Sequence, residues 1–151
     1  MAAQWPQLDP IAQNELLGEI TLSVVGALPP GWREVVLDYR VVGKNIDVAV
    51  GVLDPNGTYQ VWEPSVETWR MFQRLRGGMY QDGEGTWFSA RLVIEPPSRF
   101  RVQYNWQNEP DFQPYPSPDE FALEQERFPR GEEYMPDWFK RGLAASGAQP
   151  Q

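Results

Sequence analysis

The chain of 151 residues contains no cysteine and no histidine. Those two absences exclude zinc ribbons, iron–sulfur clusters, haem held through His or Cys, cysteine proteases and Ser-His-Asp triads, because each needs a side chain that is missing. They also exclude a disulfide framework, which is compatible with a reducing cytosol. No stretch approaches the roughly 18 consecutive apolar residues of a membrane span. Met1 to Pro10 has no basic segment followed by an apolar run. The expectation is a soluble, cytoplasmic protein that is neither exported nor embedded in a membrane. Carboxylate chemistry, oxygen-ligand metals and Lys or Tyr catalysis remain open. One domain is expected, since a chain of this size buries roughly 68–70% of its unfolded surface and needs no staple.

The formal net charge is −8, and it is unevenly placed. Residues 1–106 hold 12 acidic and 9 basic residues, whereas residues 107–137 hold 9 acidic and 2 basic ones, before Lys140 and Arg141. A stretch of that sign repels phosphate backbones and attracts basic surfaces, which argues against direct nucleic-acid binding and for a basic protein partner. Taken alone, a charge run of this kind serves solubility.

Asp9-Pro10 is an N-cap followed by proline at the first helical position, and Leu17, Ile20, Val24 and Leu28 recur at helical spacing before Pro29-Pro30-Gly31. The period then changes to two. Val35, Leu37, Tyr39 and Val41 alternate with the wetter Glu34, Val36, Asp38 and Arg40, and after Gly43-Lys44-Asn45 the pattern returns in Ile46, Val48, Val50 and Val52. A hairpin follows from this. Asp54-Pro55-Asn56-Gly57 turns the chain into a third strand, Thr58–Trp62. Pro64-Ser65 opens a second helix carrying Val66, Trp69, Phe72, Leu75 and Met79, with its end expected to fray at Gly77-Gly78. Two further strands are expected over Thr86–Glu95 and Arg99–Trp106. Residues 107–118 hold four prolines with Phe112 and Tyr115, a loop with apolar groups to pack. Ser117-Pro118-Asp119-Glu120 reads as a capping box for an acidic helix ending near Arg127, and Glu132 to Arg141 as one last turn around Pro136-Asp137-Trp138-Phe139. The expected architecture is α+β: a single domain over 1–143 with an antiparallel sheet of about five strands, an N-terminal helix, a central helix and an acidic C-terminal helix, and a disordered tail over 144–151.

Catalytic and metal motifs are weak. Asp54 to Glu63 fails the EF-hand spacing, since Gly57 falls fourth rather than sixth and Glu63 tenth rather than twelfth. Gly83-Glu84-Gly85 lacks the third glycine and the strand context of a phosphate loop. Acidic neighbours such as Glu132-Glu133 point to different sides, so no carboxylate pair is placed for glycoside hydrolysis. Arg91, Arg99 and Arg101 form a short basic strip, expected to pair with the acidic C-terminal region. Trp69 and Trp87 sit at core periodicity, although the seven Trp and six Tyr keep a carbohydrate- or small-ligand-binding module open. The residues point to a binder rather than an enzyme, with no metal and no cofactor.

Tyr104-Asn105-Trp106, Glu109-Pro110-Asp111-Phe112, Phe128-Pro129-Arg130 and Glu133-Tyr134-Met135-Pro136-Asp137-Trp138-Phe139 together resemble, in that order, the YezG-like family of bacterial antitoxin and immunity proteins. The likeness takes in the opening helix, Pro30-Gly31-Trp32 and Gly85-Thr86-Trp87-Phe88, and so spans most of residues 15–140. It departs from the commoner pattern at Asn105-Trp106-Gln107, where an acidic residue is expected near the strand end. The resemblance implies a small α+β protein in the toxin producer's cytoplasm that binds and blocks a polymorphic secreted toxin, either a nuclease or a NAD glycohydrolase. An accessory domain that carries the toxin without inhibiting it is the other role it allows.

A stoichiometric inhibitor of that kind needs aromatic anchors and complementary charge rather than catalytic groups. The expected anchors are Trp106, Phe112 and Tyr115, and the expected charges are Glu109, Asp111, Asp119, Glu120 and Glu124, facing a basic cleft of the toxin. The competing role for Phe112 and Tyr115 is to pin the Pro-rich loop to the sheet. Phe128 and Trp138 are expected in the core and Arg130 in a structural ion pair.

Overall fold

Asp9 accepts the Ala12 amide at 2.8 Å and Pro10 shapes the first turn, so α1 begins where its cap chemistry places it and runs Pro10–Val25. The computed structural model describes residues 5–147. After α1 come β1 (Glu34–Val42), β2 (Asn45–Leu53), β3 (Tyr59–Val61), α2 (Val66–Gly78), β4 (Ser89–Glu95), β5 (Arg99–Asn105), α3 (Pro118–Arg127), a single 3-10 turn (Glu132–Tyr134) and α4 (Asp137–Ser146). The five strands form one antiparallel sheet in the order β3-β2-β1-β4-β5. The fold is therefore the expected α+β domain with its antiparallel sheet.

Strand alternation decides which face is covered. Val35, Leu37, Tyr39 and Val41 of β1 and Ala90, Leu92 and Ile94 of β4 are buried, and they form one cluster with Leu16, Leu17, Ile20 and Val24 of α1 and Phe72 and Leu75 of α2. Each fully buried Leu, Ile, Val or Phe side chain contributes about 1.5–3 kcal/mol, so packing rather than propensity holds α1 despite Gly18. Tyr39 stacks on Phe72 with ring centroids 5.2 Å apart and meets Trp87 edge-on at 5.8 Å.

A second apolar cluster sits where β1 ends and β4 begins. It joins Val42 and Phe88 to Phe112, Phe121, Met135, Trp138, Phe139 and Leu143, and so seats α3 and α4 at one end of the sheet. The two clusters meet through buried polar groups. Arg76 of α2 donates from Nη2 to Glu124 Oε2 of α3 at 2.5 Å and from Nε to the Trp87 carbonyl at 2.8 Å. Glu124 Oε1 accepts the Gly43 amide at 3.0 Å, and Glu120, one helical turn earlier, accepts the Lys44 amide at 2.7 Å. Two carboxylates on one face of α3 thus grip the tip of the β1–β2 hairpin. Gly43 has φ +60°, and a Cβ there would lie 2.5 Å from the Glu120 carbonyl oxygen, so this close approach requires glycine.

Several local expectations are corrected. Gly77 and Gly78 do not fray α2 but lie buried in its last turn, because Trp5 and Leu8 occupy the space a Cβ would need. The capping box is absent: Ser117 makes no side-chain cap bond, and Glu120 spends its carboxylate on Lys44. β4 begins at Ser89 rather than Thr86, since the Thr86 and Trp87 carbonyls accept from the side chains of Arg130 and Arg76 instead of a neighbouring strand. The C-terminal turn is a full helix, α4, that buries Trp138, Phe139 and Leu143 and continues to Ser146, with Gly147 at φ +85° as its cap. The tail expected from residue 144 is thus helical at its start, and its remainder, 148–151, lies outside the described residues.

Removing one member of a buried ion pair leaves the other charge uncompensated, at a cost of about 3–5 kcal/mol. Glu124→Ala is expected to lower unfolding free energy by that amount in a urea melt. A loss below about 1 kcal/mol, the range of an exposed pair, would show that the pair does not join the two clusters.

Candidate partner-binding surface

Residues 107–117 have no regular secondary structure, yet their backbone is tied down at several points. Asn105 accepts the Asn108 amide at 2.9 Å and donates to the Asn108 carbonyl at 2.7 Å, and Trp138 Nε1 donates to the Gln107 carbonyl at 2.8 Å. Further along, the Gln113 amide donates to Asp47 Oδ2 at 2.8 Å, while Pro110, Phe112 and Pro116 are buried. Prolines reduce the freedom of the unfolded segment, and these contacts fix the rest.

The expected site residues separate into two groups on this scaffold. Glu109, Asp111, Tyr115 and Asp119 are exposed, and Tyr115 donates its hydroxyl to Glu109 Oε2 at 2.7 Å. Partial burial, and then the bond to Glu109, push the Tyr115 phenol up to about 12, so it remains a donor at neutral pH. The residue is 56% exposed, and its ring lies 6.0 Å from Phe121.

The other expected residues face inward. Phe112 is 4% exposed and belongs to the second apolar cluster, so it is not an anchor but the pin of the Pro-rich loop. Glu124 is fully buried on Arg76 and the Gly43 amide and is not available to a partner. Glu120 is half-buried and committed to Lys44, and Trp106 is half-buried against the main cluster. Phe128 and Trp138 are buried as expected. Arg130 is 1% exposed, but its partners are the Thr86 and Tyr134 carbonyls and the Phe88 ring, 4.2 Å from its guanidinium, rather than one carboxylate. Burial lowers it to about 10, so it is still a cation at neutral pH.

The uncovered face of the sheet was not expected to contribute. Asp38, Arg40, Ser89, Arg91, Gln103 and Asn105 line a cleft of about 620 Å³ that Pro110 and Asp111 wall on one side. Arg91 grips Asp38 with two bonds, 2.7 Å from Nε and 3.1 Å from Nη2, and this contact raises the Arg91 pKa. Arg40 meets Asp47 at 3.4 Å. Glu95 takes Arg101 at 3.6 Å and Arg99 at 3.9 Å, so the basic strip pairs with acids of the sheet and not with the C-terminal region. The polar half of the β1 alternation was the available signal, and a two-residue hairpin turn already places Arg40 opposite Asp47. The Asp38–Arg91 pair depends on the β1–β4 register, which no local pattern reveals.

Other candidate chemistry is absorbed locally. Asp54 accepts the Asn56 and Thr58 amides at 2.9 and 3.0 Å, and these turn bonds lower its pKa. Among the described residues no three acidic side chains are grouped to hold a metal ion, and no helix is long and apolar enough to cross a membrane. Trp87 and Trp138 are buried, and Trp32, Trp62, Trp69 and Trp106 pack on the main cluster, so packing takes up most of the rings a sugar could use.

Core and surface roles separate on substitution. Phe112→Ala is expected to cost about 3–5 kcal/mol of stability, the range for emptying a buried aromatic site. Tyr115→Ala is expected to cost about 1 kcal/mol or less. Equal costs in thermal unfolding would return Tyr115 to the core. Neither a protein-family model nor a curated protein matches the chain.

Proposed function

We propose that the chain is an immunity or antitoxin protein that binds a polymorphic secreted toxin, a nuclease or a NAD glycohydrolase, in the producer's cytoplasm and occludes its active-site cleft. The observation that carries this reading is the pinned acidic segment, with Glu109, Asp111, Tyr115 and Asp119 all exposed and Tyr115 bonded to Glu109. A surface already ordered before binding loses little conformational entropy in the complex. Toxins that act on nucleic acids or dinucleotides bind phosphates through basic groups, and exposed carboxylates can stand in for phosphate. The motif order resembling the YezG-like family supports the same reading. Asp111 belongs both to this segment and to the wall of the sheet cleft, so one partner can cover both surfaces.

The test uses the tagged protein with the toxin domain it retains from the producer's lysate, identified by mass spectrometry. Charge steering predicts that association slows by about tenfold or more between about 0.01 and 1 M salt, as the Debye length falls from about 30 to about 3 Å. The triple variant E109Q/D111N/D119N is expected to slow association at low salt while its melting temperature stays close to that of the parent. A salt-independent on-rate, unchanged in the triple variant, would refute the phosphate-mimic mechanism.

A further inference from the structure

A second, smaller pocket lies on the opposite side of the sheet from the cleft. It has a volume of about 160 Å³ and is lined by Trp5, Tyr39, Val41, Gly43, Ile46, Gln73, Arg76, Arg127 and Phe128. Its walls are of two kinds. Trp5, Val41, Ile46 and Phe128 supply a flat apolar enclosure, whereas Arg76, Arg127, Gln73 and Tyr39 supply donors.

Three features mark it as more than a packing gap. Tyr39 is fully buried, and its hydroxyl has no hydrogen-bond partner among the described residues, an arrangement that costs about 1–3 kcal/mol unless something else accepts the bond. Burial pushes this phenol up to about 12, so it is a protonated donor at neutral pH. Arg76 uses Nε and Nη2 on Trp87 and Glu124, which leaves Nη1 without an acceptor among the described residues. Arg127 is exposed at the pocket and forms no salt bridge among the described residues. The charges agree in sign: among the described residues Glu124 is set against Arg76 and the neighbouring buried Arg130, and Glu120 lies beside Gly43, so with Arg127 at the pocket three cations stand against two carboxylates.

We infer that this pocket binds a compact organic carboxylate with a flat apolar body, its carboxylate on the Tyr39 hydroxyl and Arg76 Nη1 and its body between Trp5, Ile46 and Phe128. The volume equals the share of about five water molecules at roughly 30 Å³ each, which sets the ligand at the size of a single substituted ring. Arg127 closes the charge balance from the outer side. The inference stands independently of the immunity reading, because none of its residues belongs to the acidic segment and Tyr39 alone borders both the pocket and the sheet cleft.

The experiment is isothermal titration of the whole chain at neutral pH with benzoate, benzamide and inorganic phosphate in turn. Benzoate is expected to bind one-to-one at millimolar concentration, with benzamide and phosphate each weaker. Tyr39→Phe retains the ring contacts and removes only the unpartnered hydroxyl, so it is expected to weaken benzoate about fivefold while leaving the melting temperature equal or higher. Arg127→Gln, at an exposed position, is expected to weaken it about threefold. Absence of benzoate binding, benzamide binding as tightly as benzoate, phosphate binding as tightly as benzoate, or unchanged affinity in Tyr39→Phe would each overturn the inference.

Discussion

The buried contact between Arg76 and Glu124 is the point on which the arrangement of the molecule depends. Arg76 belongs to α2, which packs on the sheet, and Glu124 belongs to α3, which packs with α4 on a separate apolar cluster. Without a polar tie these two clusters would share little more than the end of β1. Burying both charges is costly, and the cost is offset by the bonds each makes beyond the pair: Arg76 donates to the Trp87 carbonyl, and Glu124 accepts the Gly43 amide. The pair therefore specifies one docking of α3–α4 rather than adding much net stability, and it fixes the hairpin tip at the same time.

That docking sets the position of the acidic surface. The second cluster needs Phe112, and Trp138 of α4 holds the Gln107 carbonyl, so the Pro-rich segment can lie only along the edge of the open sheet face. Glu109, Asp111 and Tyr115 then project from a backbone with few remaining degrees of freedom. The sheet face beside them is lined by ion pairs whose carboxylates are already engaged, Asp38 by Arg91 and Asp47 by Arg40 and the Gln113 amide. Such a face suits recognition of a polar protein surface, with carboxylates on the rim for steering and a cleft for a projecting side chain.

Much of the fold was legible because β-strand alternation is a strong local signal: Val35 to Val41 lie buried at every second residue, and Ala90, Leu92 and Ile94 keep that period although Val93 is buried as well. α1 was equally legible, since Asp9-Pro10 marks its start and Leu17, Ile20 and Val24 mark its inner face. What failed had non-local causes. Gly77 and Gly78 read as a frayed end until Trp5 and Leu8, from the start of the chain, are seen packed against them. Glu120 and Glu124 read as surface acids of an amphipathic helix because the hairpin tip that claims them lies about 80 residues earlier, beyond any spacing rule for helices. For α4, three buried apolar residues in ten were too sparse to outweigh Pro136 and the glycines around it. The same blindness affects the site: exposure of Glu109, Asp111 and Asp119 followed from charge, whereas the burial of Phe112 followed from tertiary packing alone.

The functional account reduces to a claim about stoichiometry: a preformed acidic surface that fills a toxin's cleft must silence it one-to-one, and a carrier need not. Titrating the purified protein into its retained toxin domain, while following that domain's activity, tests this directly. The account predicts that activity falls linearly to zero at one equivalent. A complex that forms at one equivalent and keeps the toxin fully active would contradict it.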